Sequence, residues 1–172
     1  MNNLVSRRNF LKGSAAVALA AAFAGCSGGG DTSVSSTQVT LGSYTIDVVA
    51  KDCGVGGWST AGQDANTGTA IAKFKIKADT GVGVSLALTA FSATTSDGVK
   101  LQLKDLTKTV QFVQGVEVPA EIEFTTRDKT VYEKLASGAT SLKVTVKFGG
   151  KQNAIYTINL GTKAATVQVV DA

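Results

Sequence analysis

An all-β fold, an antiparallel β-sandwich with one short helix, is predicted for residues 38–172 by three observations. Apolar and polar residues alternate with period two along most of this stretch. The alternation is one-sided, so each strand buries one face and wets the other, as antiparallel sheets do. Turn signals separate the runs, and one segment carries helix start and stop signals instead. Stacking two such sheets is the economical way to cover both apolar faces.

The elements begin before the domain. Ser6-Arg7-Arg8-Asn9-Phe10-Leu11-Lys12 leads into an apolar segment, Gly13 to Ala24, in which seven residues are Ala. A helix spanning the hydrocarbon core needs about 20 apolar residues, so this segment is too short for a permanent membrane span. It also lacks the polar face of a soluble amphipathic helix. A charged start, a short apolar middle and a small-residue exit is the layout of a cleaved signal. The pattern resembles a bacterial twin-arginine export signal at every position, with Arg7, Arg8, Phe10, Leu11 and Lys12 as signal residues. Phe23-Ala24-Gly25-Cys26 resembles a lipoprotein cleavage site, with Phe23 where leucine is usual. The resemblance implies a signal peptide over residues 1–25, cut between Gly25 and Cys26, and a lipid with palmitate-type acyl chains on Cys26. Two or more acyl chains anchor a protein stably, whereas one gives marginal binding. The membrane, reached through the lipid on Cys26, is therefore an expected partner.

Residues 26–37 hold the lipidated Cys and a Gly/Ser-rich linker with almost no core-forming side chains. Residues 27–37 reach at most about 36–40 Å when extended, and about 17–20 Å as a coil. The expected location is the cell envelope, lipid-anchored and facing the extracytoplasmic side. The whole chain has 17 basic and 13 acidic residues. Losing Arg7, Arg8 and Lys12 leaves 14 basic against 13 acidic, a formal +1. Nucleic acid is therefore not an expected partner, since polyanion binders carry a clustered basic surface.

The strands follow from their patterns. Tyr44, Ile46, Val48 and Ala50 share a face, as do Ala72, Phe74, Ile76 and Ala78, opposed by Lys73, Lys75 and Lys77. Val82, Val84, Leu86, Leu88 and Ala90 form the next run, then Val99, Leu101 and Leu103. Val116, Val118, Ala120, Ile122 and Phe124 alternate with Glu117, Pro119, Glu121 and Glu123. Leu142, Val144, Val146 and Phe148 follow, then Tyr156, Ile158 and Leu160, then Val167 and Val169. The apolar phase slips near Gly42, which predicts a β-bulge. Pro119 cannot donate to a ladder, which puts its strand at an edge or delays its start. Phe148-Gly149-Gly150-Lys151 reads as a hairpin turn. Asp128 to Gly138 breaks the rhythm with an N-cap, Val131 and Leu135 four apart and a glycine stop, which predicts the helix.

Asp128-x-Thr130-x-Tyr132 resembles the approach to a tyrosine corner in immunoglobulin-like domains. The run Phe112 to Phe124, after a Ser96-Asp97-Gly98 turn, is similar to a pattern in small immunoglobulin-like bacterial lipoproteins. That resemblance implies an immunoglobulin-like sandwich and carries no site residue or activity.

The chemistry is narrowed by subtraction. Histidine is absent, which removes the usual base of a Ser or Cys nucleophile and the histidine-containing zinc and copper sites. With Cys26 lipidated, Cys53 is the one remaining thiol, and it is either a reactive or intermolecular group or a buried small residue. Gly54-Val55-Gly56-Gly57 leads to no helix that could cradle phosphate and reads as a mobile turn. Glu117, Glu121 and Glu123, with Asp128 beyond, are either a solvated strand face or a calcium site. The aperiodic segment from Cys53 to Gly68 is long for a loop. It holds Trp58, the only tryptophan, as a recognition anchor or as a plug folded over the core.

The expected function is a lipid-anchored extracytoplasmic binding or interaction module, with no cofactor and no enzyme activity. The alternative is a structural or assembly subunit with a protein partner in the envelope. A hydrolase working with carboxylates ranks behind both.

Overall fold

The computed structural model describes residues 36–79 and 85–172, all within the compact unit Val34–Ala172. Arg7, Arg8, Phe10, Leu11, Lys12, Gly25 and Cys26, the linker up to residue 35, and Val82 and Val84 lie outside the described residues. The domain is mostly β with one helix. Its strands are β1 (Val39–Leu41), β2 (Tyr44–Val48), β3 (Gly54–Ser59), β4 (Thr67–Ala78), β5 (Ser85–Ala87), β6 (Phe91–Thr95), β7 (Lys100–Leu103), β8 (Thr109–Gln111), β9 (Glu117–Thr126), β10 (Leu142–Val146), β11 (Gln152–Asn159) and β12 (Ala164–Asp171). Helix α1 (Lys129–Ser137) joins β9 to β10.

The strands form one hydrogen-bonded path, β1-β2-β4-β9-β7-β6-β10-β11-β12, with β3 also on β4 and a separate β5–β8 pair. The sheet curls into a near-closed barrel, where the pattern predicted two separate sheets. The join is β7. Lys100 and Leu101 pair with β6, while Gln102 and Leu103 pair with β9, so a four-residue strand turns the corner between two faces. Alternation reports which face of a strand is buried, and it cannot report whether two faces share a strand.

The curl brings the even-numbered residues of β4 against those of β11. Phe74 meets the edge of Tyr156 at 5.1 Å between centroids and lies 5.7 Å from Phe91. Tyr156, Phe74 and Phe124 are the largest fully buried side chains. The Tyr156 hydroxyl donates to the Ile46 carbonyl at 3.0 Å, tying β11 to β2 across the core. Burial of this kind stabilises by about 25 cal/mol per Å² of apolar surface.

Several local expectations change. The predicted bulge at Gly42 is a two-residue hairpin turn: Leu41 pairs with Tyr44, and Gly42 has φ +60°. Across such a turn, odd-numbered residues of β1 stand opposite even-numbered ones of β2, which is the phase slip seen in the sequence. The bulge is in β3 instead, where the register with β4 shifts between Val55 and Trp58. The predicted Cys53–Gly68 loop and Gly54–Gly57 turn give way to strand β3 and to the start of β4, leaving a loop over residues 60–66. The run Leu86, Leu88, Ala90 breaks at a one-turn helix, Leu88–Ala90, after which Phe91, Ala93 and Thr95 point inward with opposite parity.

Pro119 sits on a strand with neighbours on both sides, yet its flank is open. β7 engages β9 at Thr125 and Phe124, extended by Lys104 N–H donating to Glu123 O at 2.9 Å. That bond turns the odd-numbered backbone groups of β9 toward the β7 side, where residues 117–121 have no ladder partner in the register. The missing proline N–H therefore faces the gap.

Helix α1 matches its prediction at both ends. The Asp128 carboxylate accepts from Thr130 N (2.9 Å) and Val131 N (3.2 Å), and Gly138 takes φ +76°. Val131 and Leu135 are its buried residues. Asp128→Ala is expected to lower stability by about 1 kcal/mol, as cap losses do, with the midpoint of urea unfolding as the readout. An unchanged midpoint would mean the cap carries no weight.

Candidate functional site

The outer face of β4 and β9 carries the charged residues singled out in the sequence. Lys73 opposes Glu121 and Lys77 opposes Glu117 in the antiparallel register. Lys73 Nζ lies 3.1 Å from Glu121, Lys75 Nζ 3.0 Å from Glu117, and Lys104 Nζ 2.8 Å from Glu123. Hydrogen bonding to Glu121, Glu117 and Glu123 respectively raises the pKa of each lysine. All are solvent-facing pairs, and such pairs add little to stability. Each of the three glutamates is engaged by a lysine, and Asp128 is occupied as the helix cap. No cluster of three acidic, histidine or cysteine side chains assembles among the described residues.

A shallow groove of about 500 Å³ lies beside this face, lined by Lys73, Lys75, Val110, Pro119 and Glu121 among others. Thr109–Gln111 of β8 and Pro119–Glu121 of β9 both line it. A second depression of about 380 Å³ lies among Asp64, Lys104, Asp105, Lys108, Glu121 and Glu123. Both mix charges of either sign.

Cys53 is 1% exposed. Its sulfur accepts from Lys73 N at 3.3 Å and lies 3.4 Å from the Val49 carbonyl oxygen, to which the thiol donates. Burial pushes the thiol pKa up, while the Lys73 N–H bond pulls the other way. A thiol held neutral and covered is a poor nucleophile. The expected result is alkylation of native Cys53 at least about 100-fold slower than in the unfolded chain at neutral pH, because reaction requires local opening. Equal rates by intact mass would contradict this burial.

Trp58 lies on β3 rather than on a loop, half-buried, and pairs with Gly68 of β4. Its ring is 5.5 Å from that of Tyr132 on α1. The Tyr132 hydroxyl donates to Gly56 O at 2.7 Å. The segment resembling a tyrosine corner thus ties the helix to β3. Sequence reasoning missed the part played by Gly68. A Cβ there would meet Tyr132 Cδ2 at 2.4 Å, so glycine alone lets the aromatic pair lie on the sheet. A glycine inside a regular strand was the available signal.

These features define a class: a mostly β-sheet domain with one helix, carried behind an N-terminal export signal. Residues 4–24 match the twin-arginine translocation (TAT) pathway signal sequence, which places the protein's destination outside the cytoplasm. No curated protein sequence matches the chain. A likeness to a solved structure is found with YcdA of Bacillus subtilis subsp. subtilis strain 168, a protein taken to be a lipoprotein. The identity is 10% and the TM-score 0.40, over 80% of this chain and 39% of that one.

Proposed function

We propose that the protein is a lipid-anchored, extracytoplasmic binding or interaction module, held to the membrane through Cys26 and carrying its domain on the linker that follows. The observation that carries this reading is the position of Cys26. The matched export signal ends at residue 24, and Gly25-Cys26 follows at once, where lipidation and cleavage require it. The engaged glutamates and the covered thiol favour a binding role over a hydrolytic one. The immunoglobulin-like sandwich belongs with this reading: the two faces of the curled sheet pack against each other through Phe74 and Tyr156. The test is Cys26→Ser expressed in a TAT-competent cell. The expected outcome is a shift from the membrane fraction to the soluble extracytoplasmic fraction. Unchanged membrane fractionation would refute the anchor.

A second reading, a structural or assembly subunit of the envelope, is favoured by one specific observation. The sheet ends on β12, an eight-residue strand with no charge between Lys163 and Asp171.

A further inference from the structure

Edge strands in natural proteins are usually short, charged or blocked by proline. β1, one end of the path, is three residues long. β12, the other end, has no such protection: residues 164–170 contain neither charge nor proline. β1 lies against β11, and the Ala50–Asp52 turn approaches β12 without backbone pairing, joined to its start where Lys163 Nζ donates to Cys53 O at 2.6 Å.

The backbone register shows what this edge offers. Ala172 N–H donates to Lys151 O at 2.9 Å. In the antiparallel pairing that runs from Gln152↔Asp171 to Asn159↔Ala164, this bond assigns the even-numbered backbone groups of β12 to β11. Ala165, Val167, Val169 and Asp171 therefore turn their N–H and C=O groups toward the open side. Val169 pairs with Ala154 on the inner face, yet it is 42% exposed. The opposite layer does not reach it.

The geometry points to a second copy of this chain on that edge, with β12 pairing antiparallel to β12 of the copy about a two-fold axis at Val167. Odd-numbered residues must face odd-numbered ones for the outward groups to bond. Centring the pair on Val167 overlaps the uncharged run with itself and sets Ala165 opposite the copy's Val169. It also sets the copy's Asp171 opposite the turn that holds Lys163, whose Nζ donates to Cys53 O of its own chain at 2.6 Å, and the reverse. Opposite charges then lie near both ends of an apolar strand pair, a pattern that is self-complementary and closes after two copies. A parallel, in-register pairing would set Lys163 against Lys163 and Asp171 against Asp171. About six backbone hydrogen bonds join the strands, and each Val169 gains an apolar neighbour. A contact of this length falls at the small end of interfaces, below about 1,200 Å², so the dimer is reversible. Tethering to a membrane would raise its local concentration.

This inference deepens the assembly reading and does not depend on the lipid. The test uses the exported protein, purified in detergent from whichever fraction holds it. That fraction reports the anchor, while the measurements below report the strand pair. In the proposed register Val167 faces its own counterpart with Cα atoms about 5.5 Å apart, within disulfide reach, whereas Gln168 faces Thr166. Under mild oxidation, Val167→Cys is expected to give at least about 10-fold more cross-linked dimer than Gln168→Cys, with the parent chain as the baseline for Cys26 and Cys53. Light scattering is expected to show the mass rising from one copy to two between about 1 and 500 µM. Val167→Pro should hold the mass at one copy, since its missing N–H lies on the outward side and spares the β11 ladder. Thermal melting checks that this variant folds, and the cross-linking pair decides without it. Equal cross-linking at 167 and 168, one copy at every concentration, or growth beyond two copies would each overturn the proposal.

Discussion

Gly68→Ala is expected to lower the stability of the domain by about 3 kcal/mol, at the upper end of overpacking costs. The alanine Cβ would stand 2.4 Å from Tyr132 Cδ2, 2.7 Å from Tyr132 Cγ and 3.0 Å from Trp58 Cε3. None of these atoms is the free end of a flexible chain. Ring atoms must move as a body, and the Tyr132 ring is fixed at its far end by the bond to Gly56 O. Relief therefore requires the helix to lift from β3 and β4 or that bond to break. For a domain of this size the loss corresponds to a fall of about 10 °C in melting temperature. A double variant, Gly68→Ala with Tyr132→Ala, should lose less than the sum of the two single changes, since the clash disappears with the ring. Strict additivity would contradict the contact.

Tyr156→Ala is expected to cost about 4 kcal/mol, as loss of a buried aromatic side chain does. Tyr156→Phe keeps the ring against Phe74 and removes only the hydroxyl. Its cost at pH 7 is expected to be about 1–2 kcal/mol, because the Ile46 carbonyl is left without its donor in a buried setting. The two variants also differ from the parent with pH. Burial, with a smaller contribution from Asp47, pushes the Tyr156 pKa far above its ordinary 10.0. A group whose pKa is raised by folding contributes stability that is whole below the unfolded value and is lost as pH rises beyond it. Stability of the parent should therefore fall above pH 10 by up to about 1.4 kcal/mol per pH unit from this group. Tyr156→Phe should show a shallower fall over the same range. Parallel curves from pH 9 to 11.5 in urea melts would show that Tyr156 is not held neutral by the fold.

The parts of the fold that were legible in the sequence are those set by residues near one another. Asp128, Val131, Leu135 and Gly138 define a helix over a few turns, and its caps stand where the pattern put them. The alternations of β2, β4, β9, β10 and β11 likewise report one buried face each. Pairings between distant segments were not legible. Glycine content hid β3, because Gly54, Gly56 and Gly57 have no side chain to alternate. Small buried residues hid β6, whose inward positions after Phe91 are Ala93 and Thr95. The slip at Gly42 was visible, but bulge and hairpin both produce one, and only the partner strand distinguishes them. For the candidate site, the alternating lysines and glutamates were evident as outer faces. Their mutual pairing depends on β4 lying beside β9, which no local pattern states. The covering of Cys53 by the backbone of Val49 and Lys73 depends on the same kind of long-range contact.

In the proposed function, an export signal ending beside Cys26 leaves a lipid-anchored β domain. The intact mass of the protein recovered from the membrane of a TAT-competent cell tests it most directly. The expected result is a chain beginning at Cys26 and heavier than its sequence by a diacylglyceryl group, with or without a further acyl chain, and loss of that added mass in Cys26→Ser. A chain of unmodified mass, whatever its first residue, would contradict it.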